Sequence, residues 1–327
     1  MNVAVIGAGS WGTALAVHLA RSTHAVRLWV RDAARAREIA DGRENARYLP
    51  GIALPELSAT SDLALALRDA EIAIVAVPSQ FCAEAFRALG PHLAAGTTLV
   101  SATKGLELGT LRRMSEVAAE EAPGHPVAVL SGPSFALEVA QGQPTTVVVA
   151  SAELAVAEAV QRAVSSRTFR AYSSDDVIGV ELGGSLKNVI AIAAGIVDGL
   201  GYGHNTVAAL VTRGLAEMSR LAVALGARPD TLSGLAGLGD LVLTCTGALS
   251  RNRRLGQALG AGHAVAQALA ELSMVAEGVR TTLAACALAE VAGVEMPIAQ
   301  QMRAVLYEGK PPREGVDELM LRTLKRE

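Results

Sequence analysis

Asn2-Val3-Ala4-Val5-Ile6-Gly7-Ala8-Gly9-Ser10-Trp11-Gly12-Thr13-Ala14-Leu15-Ala16 opens the chain after Met1, and its reading decides the fold of the first half. Val3–Ile6 is a strand-length apolar run, Gly7 to Gly12 follows at once, and Thr13–Arg21 has helical composition. A GxGxxG alone is a weak signal, because any glycine-rich turn can match it. Between a strand and a helix it marks a dinucleotide-binding βαβ unit. Gly7 makes the tight turn, Gly9 lets the backbone approach a pyrophosphate, and Gly12 lets the helix pack on the strand. The helix start then offers N–H groups and a positive dipole end to the phosphates, with Ser10 and Trp11 in its first turn.

Working outward, the pattern repeats. Ala25–Val30, Ile72–Val77 (closed by Pro78), Thr97–Ser101, Val127–Leu130 and Thr145–Ala150 read as strands, with helices such as Ala33–Ala40 between them. Unbroken apolar runs alternating with helices predict a doubly wound parallel sheet covered on both faces. Strand signals stop near residue 175. Val177–Leu200, Thr206–Leu225, Arg254–Ala261, Ala264–Glu271, Thr281–Ala292 and Pro297–Tyr307 all read as helices. The fold class is therefore α/β followed by all-α. The polar stretch Ser173–Asp176 suggests domains of residues 1–175 and 176–327.

Composition narrows the function. At 327 residues the chain fits two domains, given roughly 100–200 residues each. Its net charge of −3 gives no sign of a nucleic acid or an anionic membrane as partner. Cys82, Cys245 and Cys286 are scattered and form no CxxC, which suits a reducing cytoplasm. The greasiest stretch, Val189–Val197, falls well short of the roughly 20 residues of a membrane span. The first residues carry no basic region ahead of an apolar one, so no leader is expected. The few histidines make no HExxH or HxH pattern, and no metal is expected.

The end of the second strand selects the cofactor. An acid there holds the 2′-hydroxyl of NAD, and an arginine accommodates the 2′-phosphate of NADP. Arg31 at the strand tip favours NADPH; Asp32 keeps NADH open, and its ordinary role is to cap the next helix. Lys104, in Ala102-Thr103-Lys104-Gly105, and Gly132 and Ser134, in Ser131-Gly132-Pro133-Ser134, follow strands where open α/β sheets bind ligands. Lys104 could equally be a solvated loop lysine, and Ser134 a helix cap.

The second half adds three segments. Glu181-Leu182-Gly183-Gly184-Ser185-Leu186-Lys187-Asn188 puts a lysine into an otherwise apolar helix. Such a lysine reaches solvent, pairs with Glu181, or functions, because burial lowers a lysine pKa toward the range where it exchanges protons. Gly234-Leu235-Ala236-Gly237-Leu238-Gly239-Asp240 is a glycine-rich turn with one acid, without GxGxxG spacing, and so not a second dinucleotide site. Ser250-Arg251-Asn252-Arg253-Arg254 starts a helix with groups suited to a phosphate, although a basic first turn is often only solvated.

With these residues assembled, the chain resembles the bacterial NAD(P)-dependent glycerol-3-phosphate dehydrogenases. The resemblance rests on GAGSWGTALA from Gly7, ATKGLE from Ala102, LSGPSFALEVA from Leu130, ELGGSLKNVIAIAAG from Glu181, NTVAALVTRGLAEM from Asn205, GLAGLGDLVLTC from Gly234 and SRNRRLG from Ser250. It implies a Rossmann domain, a helical substrate domain and an active site in the cleft between them. Lys187 matches the proton donor and acceptor, and Lys104 a residue near both cofactor and substrate. Gly132, Ser134, Asp240, Ser250, Arg251 and Asn252 match the substrate side. Ser10, Trp11, Arg31, Tyr48, Ala136, Arg251, Val275 and Glu277 match the cofactor side. His204 stands where the family often has an acid, which suggests a shifted pH optimum.

The reaction so implied is reduction of dihydroxyacetone phosphate to sn-glycerol 3-phosphate, the backbone of membrane phospholipids. Lys187 stabilises the developing negative charge on the carbonyl oxygen and delivers the proton. Two alternatives stay open. A related reductase of a non-phosphorylated hydroxy acid or sugar acid would not need the Ser250–Asn252 helix start. A non-catalytic dinucleotide sensor would bind NADPH without turnover. The only partner expected is a small-molecule substrate, and a homodimer is left open.

Overall fold

β1 (Asn2–Ile6) is buried along Val3–Ile6, and its side chains feed two cores. Successive residues of a strand point to opposite faces. Val3 and Val5 join a cluster with Ala14, Leu15, Val17 and Val160, while Ala4 and Ile6 join one with Phe86, Leu89, Met114 and Val117. The continuous apolar run is thus explained by helices on both faces. The computed structural model describes residues 1–272 and 275–324.

The other strands are β2 (Ala25–Trp29), β3 (Ser58–Thr60), β4 (Ile72–Val75), β5 (Thr98–Ser101), β6 (Val127–Ser131), β7 (Thr145–Ala150) and β8 (Phe169–Ser174). They form one eight-stranded sheet in the order β3-β2-β1-β4-β5-β6-β7-β8. All neighbours are parallel except β6 and β7. The sheet expected to be parallel throughout therefore contains one antiparallel pair. β3 and β8 had no place in the sequence reading. β3 is only three residues long, and in β8 the apolar residues alternate with polar ones rather than running together. The chain leaves β1 toward β2 on one side and returns to β4 on the other, and this reversal makes a ligand crevice at the strands' carboxyl ends.

The helices beside the sheet are α1 (Ser10–Arg21), α2 (Ala33–Gly42), α3 (Leu63–Leu67), α4 (Cys82–Leu89), α5 (Met114–Glu121), α6 (Ala136–Ala140) and α7 (Leu154–Val164). His18 on α1 and His24 just after it donate to the carbonyls of Val164 and Ala163 at the end of α7, at 2.7 and 2.9 Å. Burial pushes the imidazole of His18 below its ordinary pKa, so it serves as a neutral N–H donor.

The rest is helical: α8 (Val177–Gly199), α9 (His204–Ala224), α10 (Pro229–Ser233), α11 (Asp240–Thr246), α12 (Arg251–Gly260), α13 (Val265–Glu271), α14 (Glu277–Ala292), α15 (Pro297–Tyr307) and α16 (Pro312–Met320). The expected turn at Gly234–Asp240 is instead a π-helical turn, Leu235–Gly239, running directly into α11. The chain divides into two compact units, one of residues 1–107 and 112–181, the other of 108–111 and 182–327. α8 is long and apolar enough to cross a membrane, but 89% of its most apolar window is buried in the protein.

Two glycine pairs explain how α8 packs in the helical unit. A Cβ at Gly195 or Gly199 would strike the carbonyl of Arg253 or Gln257 on α12, and one at Gly256 or Gly260 would strike that of Ile192 or Ile196 on α8. The two backbones approach as closely as bare glycine permits. Asp198 ties the same helices together, accepting from Arg253 at 2.9 Å and Gln257 at 2.5 Å.

Candidate functional site

The glycine loop has the geometry its motif requires. Gly7 adopts φ +111°, and a Cβ there would lie 2.8 Å from the carbonyl oxygen of Ala76 beyond β4. A Cβ at Gly12 would strike the carbonyl of Gly7, while one at Gly9 meets nothing within 4 Å. Gly7 and Gly12 therefore lock strand to helix, and Gly9 leaves backbone open to a ligand. Asn45 donates to the carbonyl of Ala8 at 2.9 Å and to Thr13 Oγ1 at 2.8 Å. Ser10 Oγ donates to the carbonyl of Tyr48 at 2.5 Å. The loop is thereby held from outside the motif by the segment that also carries Tyr48. Asn45 stands in no motif, and nothing local in the sequence marks it.

The cofactor-selecting end of β2 is also defined. Asp32 caps α2, its Oδ1 accepting the N–H of Arg35 at 2.8 Å. Arg31 is exposed, with its guanidinium 5.6 Å from the centre of the Phe81 ring. Arg35 and Arg47 lie over the Tyr48 ring at 4.6 and 5.3 Å. Trp11 Nε1 and Arg35 Nη2 are buried donors with no partner in the protein. A buried donor without a partner costs free energy unless a ligand or water satisfies it. Open backbone at Gly9 and the unmet donors of Trp11 and Arg35 suit a dinucleotide.

Lys104, Gly132 and Ser134 come together beyond β5 and β6. Lys104 Nζ donates to the carbonyl of Gly132 at 2.7 Å and to Ser134 Oγ at 3.3 Å. Ser134 Oγ also donates to the Gly132 carbonyl at 2.9 Å, so it is not a helix cap; Phe135 occupies that position before α6, which Ala136 begins. Gly132 has φ +131°, and a Cβ there would sit 3.0 Å from Val147 Cα. Only glycine fits this turn.

In the helical unit Lys187 is 5% exposed, the burial that makes its charge conspicuous. Its ammonium donates to Asp240 Oδ1 and, at 2.8 Å, to Thr244 Oγ1. Thr244 in turn donates to the carbonyl of Asp240 at 2.6 Å. Neither solvent nor Glu181 is the destination of Lys187. Glu181 instead accepts from the Ser115 N–H at 2.9 Å and the Ser115 hydroxyl at 2.5 Å, with Arg113 at 3.3 Å. Burial pushes the Glu181 carboxyl up, against the pull of these donors. Beside Lys187, burial pushes the Cys245 thiol up to about 12, so it stays uncharged. Thr244 lies within the quoted segment GLAGLGDLVLTC but was given no role; its position one turn after Asp240 was the available signal.

At the start of α12 Ser250 is the cap, its Oγ accepting the Arg253 N–H at 3.2 Å. Arg251 donates to the carbonyl of Val275 at 3.0 Å. Burial pulls the Arg251 guanidinium below its ordinary value, and nearby Glu277 opposes this. Arg251, Val275 and Glu277 are thus neighbours. Asn252 is engaged internally: its Oδ1 accepts the Gly278 N–H at 3.0 Å and its Nδ2 donates to Asn188 Oδ1 at 2.9 Å. Asn188, next to Lys187, was quoted but given no role. His204 is exposed at the start of α9. Among the described residues, no group of three His, Cys, Asp or Glu side chains is placed to hold a metal.

Family models described as the N-terminus and the C-terminus of NAD-dependent glycerol-3-phosphate dehydrogenase match residues 2–157 and 176–317. A glycerol-3-phosphate dehydrogenase (NAD(P)+) of Geobacter sp. (strain M21) is 54% identical, covering 100% of this chain and 98% of its own. One of Anaeromyxobacter sp. (strain K) is 53% identical over 100% of both chains. The crystal structure of a glycerol-3-phosphate dehydrogenase from Coxiella burnetii aligns with TM-score 0.94 and 44% identity, covering 98% of this chain and 99% of that one. A ketopantoate reductase structure from Ralstonia eutropha, at 17% identity and TM-score 0.59, shares the fold.

Proposed function

The chain belongs to the NAD-dependent glycerol-3-phosphate dehydrogenase family, and from that premise we propose that Lys187 is the general acid and base of its reaction. The enzyme reduces dihydroxyacetone phosphate to sn-glycerol 3-phosphate with NAD(P)H, reversibly, supplying the backbone of phospholipids. The observation that carries the assignment is the buried Lys187 ammonium held between Asp240 and Thr244. A nicotinamide bound at the glycine-rich loop would supply the hydride for the carbonyl carbon. As the carbonyl oxygen gains negative charge, an ammonium aimed by two fixed partners stabilises it and transfers a proton to it. In the reverse direction the same amine takes the proton from the C2 hydroxyl. Asp240 keeps the ammonium charged and oriented, and Thr244 fixes its direction.

The remaining assignments follow from the same reading. Lys104, Gly132, Ser134, Lys187, Asp240, Ser250, Arg251 and Asn252 serve the substrate. Gly7, Gly9, Ser10, Trp11, Gly12, Arg31, Tyr48, Lys104 and Ala136, with Arg251, Val275 and Glu277, serve the cofactor. NADPH is the preferred donor, because the Asp32 carboxylate is occupied as a helix cap and Arg31 is exposed at the strand tip. Residues 1–175 bind the cofactor and residues 176–327 carry the chemistry. The reaction takes place in the cytoplasm, which three buried thiols support.

The test follows NADPH absorbance with dihydroxyacetone phosphate in wild type, Lys187→Met and Lys187→Arg. Met leaves Asp240 buried without its cation, a loss that typically costs about 3–5 kcal/mol of stability. Arg keeps the cation but does not give up its proton. Both variants should lose about 10²-fold or more in kcat while still binding NADPH. Near-normal turnover in either one, with NADPH bound, would remove Lys187 from the role.

A further inference from the structure

The Lys187–Asp240 pair is the second of two contacts between the same elements. One helical turn earlier on α8 stands Gly183, and four residues before Asp240 stands Ala236, within the π-helical turn. A Cβ on Gly183 would lie 2.6 Å from the carbonyl oxygen of Ala236, 3.1 Å from its carbonyl carbon and 3.2 Å from Gly237 Cα. Residues four apart on a helix share a face, so Gly183 and Lys187 present one edge of α8 to this turn. The turn is braced from behind. The Gly239 N–H donates to the Gly234 carbonyl at 3.0 Å, the five-residue reach of a π-helix. A Cβ on Gly237 would strike the carbonyl of Leu232 at the end of α10. The π turn is wedged between Leu232 on one side and Gly183 on the other, and it ends at Asp240.

We infer that Gly183 is a positioning residue for catalysis: its missing side chain lets the π turn seat on α8 and so sets the separation of the Lys187 ammonium from Asp240. Without a side chain at residue 183, backbone meets backbone, and the next rung along the two elements is the ion pair. A methyl group there drives the Ala236 carbonyl away, and Asp240 moves with the turn that carries it. Asp240 is 1% exposed, so no solvent-side rotamer restores the contact. Asp240, Thr244 and the uncharged Cys245 are among the groups beside the ammonium, and the displacement falls on the Asp240 carboxylate. This inference rests on Lys187 as the proton donor.

Four variants test it in the full-length enzyme: Gly183→Ala, Asp240→Glu, the two combined, and Gly195→Ala. The last one lies on the same helix away from the pair, where a Cβ would meet the Arg253 carbonyl of α12, and so reports the cost of a close helix contact elsewhere. Misplacing a catalytic group by about 1 Å costs about 10²-fold, so Gly183→Ala should lose between about tenfold and 10²-fold in kcat. With its anion further off, the lysine holds its proton less tightly, and the alkaline limb of the kcat profile for reduction should move to lower pH. Gly195→Ala should lower the unfolding temperature without moving that limb. Asp240→Glu alone should also lose about tenfold or more, because the longer carboxylate no longer fits the fixed gap. In the combined variant the longer side chain spans the widened gap and kcat should recover several-fold over Gly183→Ala.

A folded Gly183→Ala enzyme with wild-type kcat and pH profile would overturn the inference. So would Asp240→Glu with wild-type kcat, which can be read even if Gly183→Ala does not fold. Absence of any recovery in the combined variant, when both single variants fold, would also overturn it. The assignment of Lys187 is judged separately by Lys187→Arg, so failure of one is distinguishable from failure of the other.

Discussion

Arg31 and Asp32 are adjacent, and either could choose the cofactor. The structure gives them different work: the Asp32 carboxylate closes the first turn of α2, and Arg31 projects from the tip of β2 above Phe81. Replacing Arg31 by Ala should raise KM for NADPH and leave that for NADH little changed. A charge-assisted contact of this kind contributes about 1.5–3 kcal/mol, so the loss should be about tenfold or more. Initial rates with each cofactor decide it, and equal effects on both would take Arg31 out of this role. Asn252 has protein partners that its motif does not announce. It stands in a helix start suited to a phosphate, yet both ends of its amide are engaged with Gly278 and Asn188.

At the scale of elements, the helical unit depends on how close two helices can come. α8 and α12 meet through Gly195, Gly199, Gly256 and Gly260, each facing a carbonyl of the other helix. The strands and long helices were legible because apolar runs and their spacing are local properties. This glycine seam was not, because alanine-rich and glycine-rich stretches look alike until the facing helix is known. Gly256→Ala forces a methyl group into the Ile192 carbonyl and should destabilise by about 1–3 kcal/mol, the usual cost of overpacking. Gly42→Ala, at the end of α2 with nothing within 4 Å of its Cβ, is the control and should be neutral. Urea unfolding of the two variants beside wild type measures the difference. Similar midpoints for both variants would show that the seam yields.

At the scale of the whole molecule, buried glutamates join segments far apart in sequence. Glu217 on α9 is 1% exposed, and its two oxygens accept the N–H groups of Ile298 and Ala299, each at 3.0 Å, at the start of α15. Pro297 has no N–H and Met296 supplies no side-chain cap, so a distant carboxylate satisfies the helix start. Glu181 does the same for Ser115 on α5. Burial pushes the Glu217 carboxyl up to about 7, against the pull of the two N–H donors and Arg220. A carboxyl raised above its unfolded value of 4.5 contributes stability that is fully present below that value and lost as pH rises through about 7. The melting temperature of wild type, relative to Glu217→Gln, should therefore fall across that window and level off above it. The amide's imperfect fit to two N–H donors adds an offset that does not depend on pH. A difference constant across the window would show that Glu217 titrates at an ordinary value.

The sequence by itself determined most of the order of strands and helices, β3 and β8 excepted, together with the glycine-rich loop and the family. Each is carried by local features: apolar runs of strand or helix length, glycines at fixed spacing, and short segments matched in order. Only the tertiary structure decided that Lys187 is paired with Asp240 and Thr244 and not with Glu181. Those partners lie 53 and 57 residues away along the chain, and no spacing rule reaches across that distance. It also decided that the glycine-rich segment before Asp240 is a π turn. A glycine in sequence permits many backbone paths, and the selection is made by what packs against it: Leu232 behind and Gly183 in front.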